Sequence, residues 1–470
     1  MEETLLYRLI VEHFFTVIGF LLAVFLILKI ISEHRRPGGA ISWLIAIIFA
    51  PYIGVPLYFI LGGRKITKKI NRKEPLYTTP NTKPEQPVKN PIERVLLSSG
   101  MPSIRQTFST VFLFDGIDAF HKLIEIINHA EEYIYCTTFI LGKDETGFRI
   151  INALAEKAKQ GVRVCLLLDS LGCLTVTQKM LHPLLDSGGE VGFFLPVLPF
   201  RRKWSANLRN HRKIVIVDGK ISMIGGMNLS NNFMGPNPSP KRFLDNVVFL
   251  TGEPICDIEQ VFRSDWYFTT EKELPEPNIP SFLTEPNMNT LPGRVQVVAS
   301  GPDVPEDTLY DAILTACMEA KERIWIVTPY FVPDEPILKA LTLQARAGLD
   351  VSIILPQKSN HLIADFARGP ALRELLKSGA NIWFYEKGMV HSKLLVFDRY
   401  LAVTGSPNLD IRSMYLNFEI ALFHYSPNEI DAVSGWIYQL INNSRKVSVL
   451  PEKTFQIWME NLSLLIAPLI

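Results

Sequence analysis

Residues 211–230 read HRKIVIVDGKISMIGGMNLS, and residues 391–408 read HSKLLVFDRYLAVTGSPN. In both, a lysine follows the histidine by two positions, an aspartate follows it by seven, and a glycine follows the aspartate by seven more. An asparagine, Asn228 or Asn408, stands three beyond that glycine. Alternate residues of a strand share a face, so His211 and Lys213, like His391 and Lys393, are expected on one face of an apolar strand. Asp218-Gly219 is a strong hairpin signal, and Asp398 begins the equivalent turn. One H-x-K on a strand is weak evidence of anything. Two copies matched through the asparagine are not.

The duplication extends outward from these stretches. Upstream of the first, EEYIYCTTFIL, GFRIINALAEKAKQG and VRVCLLLDS read as strand, helix and strand. Upstream of the second, KERIWIVTPYFV, EPILKALTLQARAG and LDVSIILPQ do the same. The helices are expected to stop at Gly161 and Gly348, where glycine supplies a C-terminal cap. A further helix and strand follow in each copy, MLHPLLDSGGEVGFFL and ALRELLKSGANIWFY. His211 and His391 lie 180 residues apart, so most of the chain is repeated. Strands joined by helices predict an α/β fold of two pseudo-equivalent halves, each with its own sheet, packed together. The halves are expected at 105–285 and 286–470.

The residue types define the chemistry. Charged lysine is no ordinary metal ligand, so H-x-K is not a zinc spacing, and no metal or other cofactor is expected. Two lysines and two asparagines provide donors suited to the oxygens of a phosphodiester. Two histidines let one attack phosphorus while the other protonates the leaving alkoxide and then deprotonates the incoming alcohol or water. Neither half alone holds both roles. A histidine nucleophile also needs an acceptor on its second ring nitrogen. Glu419, 28 residues past His391, and Asp245, 34 past His211, occupy similar places in their halves and are the expected acceptors.

These residues resemble the phospholipase D superfamily, whose H-x-K-x4-D motif occurs twice per active site. Both copies are complete: His211, Lys213, Asp218 and His391, Lys393, Asp398. The resemblance covers about residues 105 to 470 and implies a metal-free phosphohistidine mechanism, with His211 as nucleophile and His391 as general acid and base. The motif aspartates, at their turns, are expected to order the strands more than to touch phosphate.

The N-terminus has a different character. Residues 14–31 carry one charge, Lys29, and residues 40–61 carry none. Each run is about long enough for a hydrocarbon core of ~30 Å, so residues 1–73 are expected to form a membrane anchor of two transmembrane helices. Glutamates in place of a basic n-region argue against a cleaved signal peptide. Arg64, Lys65, Lys68, Lys69, Arg72 and Lys73 follow the second run, which places the remaining body in the cytoplasm. A re-entrant hairpin is the alternative. Residues 74–104, rich in proline, asparagine and lysine, read as a linker.

Among 470 residues, 47% are apolar and the net charge is +1, so no global attraction to polyanions exists. Five cysteines with no C-x-x-C pair are read as small core residues in a reducing compartment. The run RRKWSANLRNHRK, 201–213, is expected either at an anionic lipid surface or as a buried strand with a solvated loop. The apolar C-terminal segment TFQIWMENLSLLIAPLI is expected either at a membrane interface or in the core. His121, His129 and His361 have no matching partners and are read as ordinary.

With its anchor, the chain resembles the bacterial cardiolipin synthase family, on PYIGVPLYFILGG (51–63), FRSDW (262–266) and GMVHSK (388–393). That resemblance implies a multi-pass enzyme of the bacterial inner membrane that transfers a phosphatidyl group from one phosphatidylglycerol to another and releases glycerol. Anionic membrane lipid is then the partner, and nucleic acid is not. A lipid hydrolase, or a transferase using phosphatidylethanolamine, is the closest alternative. A superfamily nuclease is a distant one.

Overall fold

The computed structural model describes residues 73–79, 88–197, 205, 207–276, 293–451 and 453–466, with positions 13, 17–28, 47–49, 52, 54, 55 and 58 near the N-terminus. The chain divides into two compact units: residues 73–197 with 208–470, and residues 1–72 with 198–207.

The larger unit is built twice. In its first half, β2 (Tyr133–Thr138), β3 (Arg163–Asp169) and β4 (Glu190–Phe194) run parallel. Helices Glu145–Lys159 and Gln178–Asp186 form the crossovers that parallel strands require. An antiparallel set continues the sheet: β5 (Ile214–Val217), β6 (Ile221–Gly225), β7 (Val247–Gly252) and β1 (Arg105–Leu113). The second half repeats this with β9 (Arg323–Val327), β10 (Asp350–Pro356) and β11 (Asn381–Tyr385) parallel, and β12 (Leu394–Phe397), β13 (Leu401–Gly405), β14 (Glu419–His424) and β8 (Gly293–Ser300) antiparallel. A terminal strand, β15 (Arg445–Val447), is added beside β11.

Local chemistry accounts for these elements. Asp144 and Asp334 cap the two crossover helices by accepting from the backbone N–H of Gly147 and Ile337. Gly161 and Gly348 follow the same helices with φ of 88° and 95°, which a side chain would disfavour. Parallel strands covered on both faces should be apolar on both faces. Tyr133, Tyr135, Cys165 and Leu167 accordingly pack in one core, and Ile134, Cys136, Val164, Leu166 and Leu168 in another. Four cysteines are buried as expected, but Cys256 is exposed.

The halves differ from expectation in how they join. Two separately packed sheets were anticipated. Instead β1 pairs antiparallel with β8, through Arg105 opposite Val295, and the ladder is continuous over 15 strands in the order β15-β11-β10-β9-β12-β13-β14-β8-β1-β7-β6-β5-β2-β3-β4. β1 and β8 would each otherwise be an open edge, and pairing satisfies both rows of backbone groups. The stretch read as a linker also departs: it contains the helix Pro91–Ser98, whose Ile92 and Leu96 are buried.

The expected membrane spans lie largely outside the described residues. Residues 17–28 are helical, and among the described residues no helix is long and apolar enough to cross a membrane.

Both motif aspartates sit at the hairpin turn in the left-handed region, with φ of 53° at Asp218 and 49° at Asp398. The Asp218 carboxylate accepts from the N–H groups of Glu131, Glu132 and Tyr133, each at 2.8 Å. Asp398 accepts from Lys321, Glu322 and Arg323 at 2.8–2.9 Å. Each carboxylate thus ties its hairpin to the start of the neighbouring parallel strand. Asp218→Ala or Asp398→Ala strands three donors, and each should cost roughly 3 kcal/mol or more of stability. Thermal denaturation of the variants in detergent checks this, and an unchanged melting temperature would refute it.

Candidate active site

The histidine strands were expected to begin at the histidines. They begin three residues later, at Ile214 and Leu394. The backbone of each preceding segment is committed elsewhere, to the opposite half. His211 N–H donates to the carbonyl of Phe418 (2.9 Å), and Phe418 N–H donates to that of Arg209 (2.9 Å). Symmetrically, His391 N–H donates to Leu244 (2.6 Å), and Leu244 N–H donates to Met389 (2.8 Å). Phe418 and Leu244 are the residues just before Glu419 and Asp245, so each histidine is delivered to the acid of the other half.

The side chains complete that exchange. His211 Nδ1 lies 3.0 and 2.9 Å from the two Glu419 carboxylate oxygens. His391 Nδ1 lies 2.6 Å from Asp245 Oδ2. Both acids were expected to orient imidazoles, but their pairing across the halves was not anticipated. Equal places in each half therefore supply the partner half, and the site exists only when the two are joined.

Lys213 Nζ donates to the carbonyl of its own motif histidine, His211, at 2.7 Å, and Lys393 makes the same contact with His391. Lys393 Nζ also lies 2.6 Å from His391 Nδ1. One ring nitrogen cannot donate to Asp245 and accept from Lys393 at once, so its proton is contested among the three groups. Asn228 Oδ1 accepts from Ile140 N–H at 3.1 Å, which directs its amide nitrogen away from that contact. Asn408 is buried, and its Oδ1 has no hydrogen-bond partner among the described residues. Asp218 and Asp398 stand at the turns, away from the histidines in sequence, holding backbone.

Burial governs the titration of the group. Desolvation pushes His211 down to about 4, against the pull of Glu419. Burial would raise Glu419, but His211, Lys213 and the Ser406 hydroxyl hold it down at about 2. The pair is thus neutral imidazole and carboxylate, with Nδ1–H donating and Nε2 left with its lone pair. Around His391 the groups titrate closer to neutrality. Burial raises Asp245 to about 6 and lowers Lys393 to about 8, while burial and the two ammonium groups push His391 well below its usual range. Lys213 is lowered to about 7, also by burial.

Several neighbours escaped the sequence reading. Arg212, between the motif histidine and lysine, is fully buried. It makes 2.7 and 2.8 Å bonds to Asp265, donates to the Glu419 carbonyl at 3.1 Å and to the Ser300 carbonyl at 3.0 Å. Asp265 also accepts from Asn210 at 3.0 Å and pairs with Lys73 at 2.6 Å. Asp169 accepts from Asn210 N–H at 2.9 Å. The ring of Phe139 stands 5.1 Å from His211, that of Phe233 4.9 Å from His391, and that of Tyr330 6.4 Å from His391. A residue such as Arg212 looks like any other charge in a basic run, and only its neighbours reveal it.

Of the two alternatives for the 201–213 run, burial is the one found in its C-terminal part, and the reading of Lys73 as a membrane-flanking charge is corrected. In the 201–213 run, Arg209, Arg212 and Lys213 are all buried, so half of its basic residues are unavailable to any lipid surface. Positions 201–204 lie outside the described residues. Lys73, counted with the basic residues after the second apolar run, is buried between Asp265 and Asp303. His361, read as ordinary, packs its ring 5.2 Å from that of Tyr330.

Comparison with known proteins gives a consistent result. Residues 123–266 and 313–441 each match the family model described as cardiolipin synthase, phospholipase D-like domain, and residues 21–63 match the phospholipase D-nuclease N-terminal model. The chain is 32% identical to the cardiolipin synthase of Geobacillus kaustophilus over 449 residues, 92% of this chain and 88% of that one. It is 33% identical to the cardiolipin synthase of Clostridium perfringens over 413 residues, 84% and 86% of the two chains. The fold is also that of the phosphatidylserine synthase of Haemophilus influenzae, with a TM-score of 0.62 at 17% identity over 81% of this chain and all of that one.

The charges around the two histidines set a pH dependence. Below about 6, Asp245 gains a proton and ceases to accept from His391; above about 7 to 8, Lys213 and then Lys393 lose theirs and cannot bind an anion. The free-enzyme profile, kcat/KM against pH, should be a narrow bell with limbs near those values. Bound phosphodiester anion stabilises the ammonium groups, so the alkaline limb of kcat should lie higher. Steady-state kinetics in buffered micelles would decide, and a flat profile from pH 5 to 9 would contradict the electrostatics.

Proposed function

The chain belongs to the cardiolipin synthase family of phospholipase D-like proteins, and from that membership we propose that its paired motifs transfer a phosphatidyl group between two phosphatidylglycerol molecules. The observation that carries the mechanism is the crossed pairing of His211 with Glu419 and of His391 with Asp245.

In the first step His211 Nε2 attacks the phosphorus of one phosphatidylglycerol. The P–O bond to the terminal glycerol breaks, and the leaving alkoxide takes a proton from His391. Lys213 and Lys393, helped by Asn228 and Asn408, offset the charge on the nonbridging oxygens. In the second step the primary hydroxyl of another phosphatidylglycerol gives its proton to His391 and attacks the phosphohistidine. The P–N bond breaks, cardiolipin leaves and His211 is regenerated. The division of labour between the histidines follows from their settings. His211 rests on a carboxylate that stays ionised, which suits a nucleophile with one fixed tautomer. His391 rests beside two groups that titrate near neutrality, which suits a residue that must give and take a proton.

The two apolar runs 14–31 and 40–61 would anchor the enzyme as a hairpin in the bacterial inner membrane, with the body in the cytoplasm. Support comes from their length and from the five basic residues Arg64, Lys65, Lys68, Lys69 and Arg72 that follow them. An anchored site meets lipid alcohol at high effective concentration, which favours transfer over hydrolysis.

Purified enzyme given phosphatidylglycerol alone should therefore yield cardiolipin and glycerol in equal amounts, and added glycerol should drive the reaction backwards. Mass spectrometry of the products checks this, and phosphatidic acid as the main product would make the enzyme a hydrolase. Chelator in detergent micelles should leave turnover unchanged, whereas a loss restored by one particular divalent ion would refute the mechanism. A reporter fused after residue 75 should behave as cytoplasmic.

A further inference from the structure

The C-terminal helix Thr454–Ile466 is docked with its polarity reversed. Its charged residue faces inward: Glu460 is 1% exposed and pairs with Arg373, 3.1 Å from one guanidinium nitrogen. Gln456 donates to the same carboxylate at 3.0 Å. The carboxylate also lies against the first turn of helix Gly369–Lys377, where a Cβ on Gly369 would come within 2.4 Å of it. Ser463 is buried on the same side. The large apolar residues face outward. Phe455 is 75% exposed, Trp458 65% and Leu462 42%. Their spacing of three and four puts them on one helix face.

A helix in water normally buries the opposite face. Here an ion pair fixes the helix to the body and leaves an aromatic-aliphatic face pointing away from it. The helix packs on Leu362–Ala367, whose Leu362 is 70% exposed and whose Ile363 is also exposed, so the apolar patch extends onto that helix. His361 caps Leu362–Ala367 and packs against Tyr330, whose ring faces His391 and whose hydroxyl donates to Asn360 at 2.6 Å. The helix Leu362–Ala367 is therefore linked to His391 through the rings of His361 and Tyr330.

We propose that Phe455, Trp458, Leu462, Leu362 and Ile363 form a face that inserts into the lipid surface and seats the mouth of the active site on it. The occupant follows from continuity: the patch adjoins a site whose substrate, on the proposed function, is a lipid, and aromatic rings flanked by aliphatic side chains suit the boundary between headgroups and acyl chains. This rests on that reading of the substrate. It adds a second attachment, independent of residues 1–72, that sets the height of His391 above the acyl chains.

The test uses the full chain in phosphatidylglycerol–phosphatidylcholine vesicles. Cys256, the exposed cysteine, is replaced by serine, and the buried cysteines do not compete for label. An environment-sensitive fluorophore is attached in turn at Trp458→Cys, Leu362→Cys and Lys159→Cys. Lys159 is exposed at the far end of a crossover helix from the motif histidines. Lipids with a nitroxide high on the acyl chain should quench the probes at 458 and 362 several-fold more than the probe at 159. Quenching needs no turnover, so the outcome is independent of which phosphodiester is cleaved. Equal quenching at all three positions would overturn the proposal. So would unlabelled Trp458→Cys that resists labelling and oxidises to a disulfide dimer, because the face would then be covered by a second copy. Phe455→Ser/Trp458→Ser should raise KM for vesicular phosphatidylglycerol several-fold and leave turnover of monomeric short-chain phosphatidylglycerol unchanged; a matching loss on both substrates would mean a purely structural role.

Discussion

The exchange of carboxylates between halves is the constraint on which the site depends. A buried imidazole needs an acceptor for Nδ1–H, and neither half provides one for its own histidine. Glu419 serves His211 and Asp245 serves His391. The backbone bonds at Phe418 and Leu244 fix those pairs before any side chain is considered. Duplication thus does more than double the number of donors. It makes the acid–histidine pairs a property of the joined sheet, and the β1–β8 ladder becomes part of the catalytic apparatus.

The two pairs are equivalent in position and unequal in surroundings. Glu419 is held by the Ser406 hydroxyl and by Asn417 Nδ2 at 3.2 Å in addition to His211. At the place equivalent to Ser406, the first half has Gly226, where a Cβ would lie 2.2 Å from Asp245 Oδ1. The shorter aspartate side chain reaches its histidine because the backbone there carries no side chain. It consequently gains no hydroxyl donor, and its carboxyl stays higher. Arg212 has no counterpart either, since Ser392 occupies that place. Its bonds to Asp265, Ser300 and the Glu419 backbone brace only the His211 side. Lys73 adds a second cation to Asp265. A rigid, permanently ionised pair and a looser, titratable one are what a nucleophile and an acid–base residue respectively need.

Much of this was legible in the sequence because the repeat carries its own control. Matched spacings from histidine to asparagine identified the motif residues, and crossover helices ending at Gly161 and Gly348 identified the α/β halves. What was not legible depends on contacts between distant segments. Spacing singled out Glu419 and Asp245 as acceptors without assigning a histidine to each, whereas the bonds at Phe418 and Leu244 give Glu419 to His211 and Asp245 to His391. The basic run 201–213 has the composition of a surface, yet Arg209, Arg212 and Lys213 are buried, and Arg212 is met by partners 53 to 207 residues away. The helix Pro91–Ser98 was hidden by the prolines and lysines before it, and only two of its apolar residues, Ile92 and Leu96, are buried. Likewise the C-terminal helix is apolar by composition, and only the burial of Glu460 shows which face is turned outward.

The crossed pairing assigns each acid to one histidine, and that assignment can be measured. Glu419→Gln acts on His211, and Asp245→Asn acts on His391. In a rapid-quench single turnover with labelled phosphatidylglycerol, Glu419→Gln should slow formation of the phosphoryl-enzyme so that little accumulates. Asp245→Asn should impair deprotonation of the incoming alcohol and let the adduct on His211 build up. Accumulation in Glu419→Gln and not in Asp245→Asn, or an adduct mapped to His391, would contradict the account.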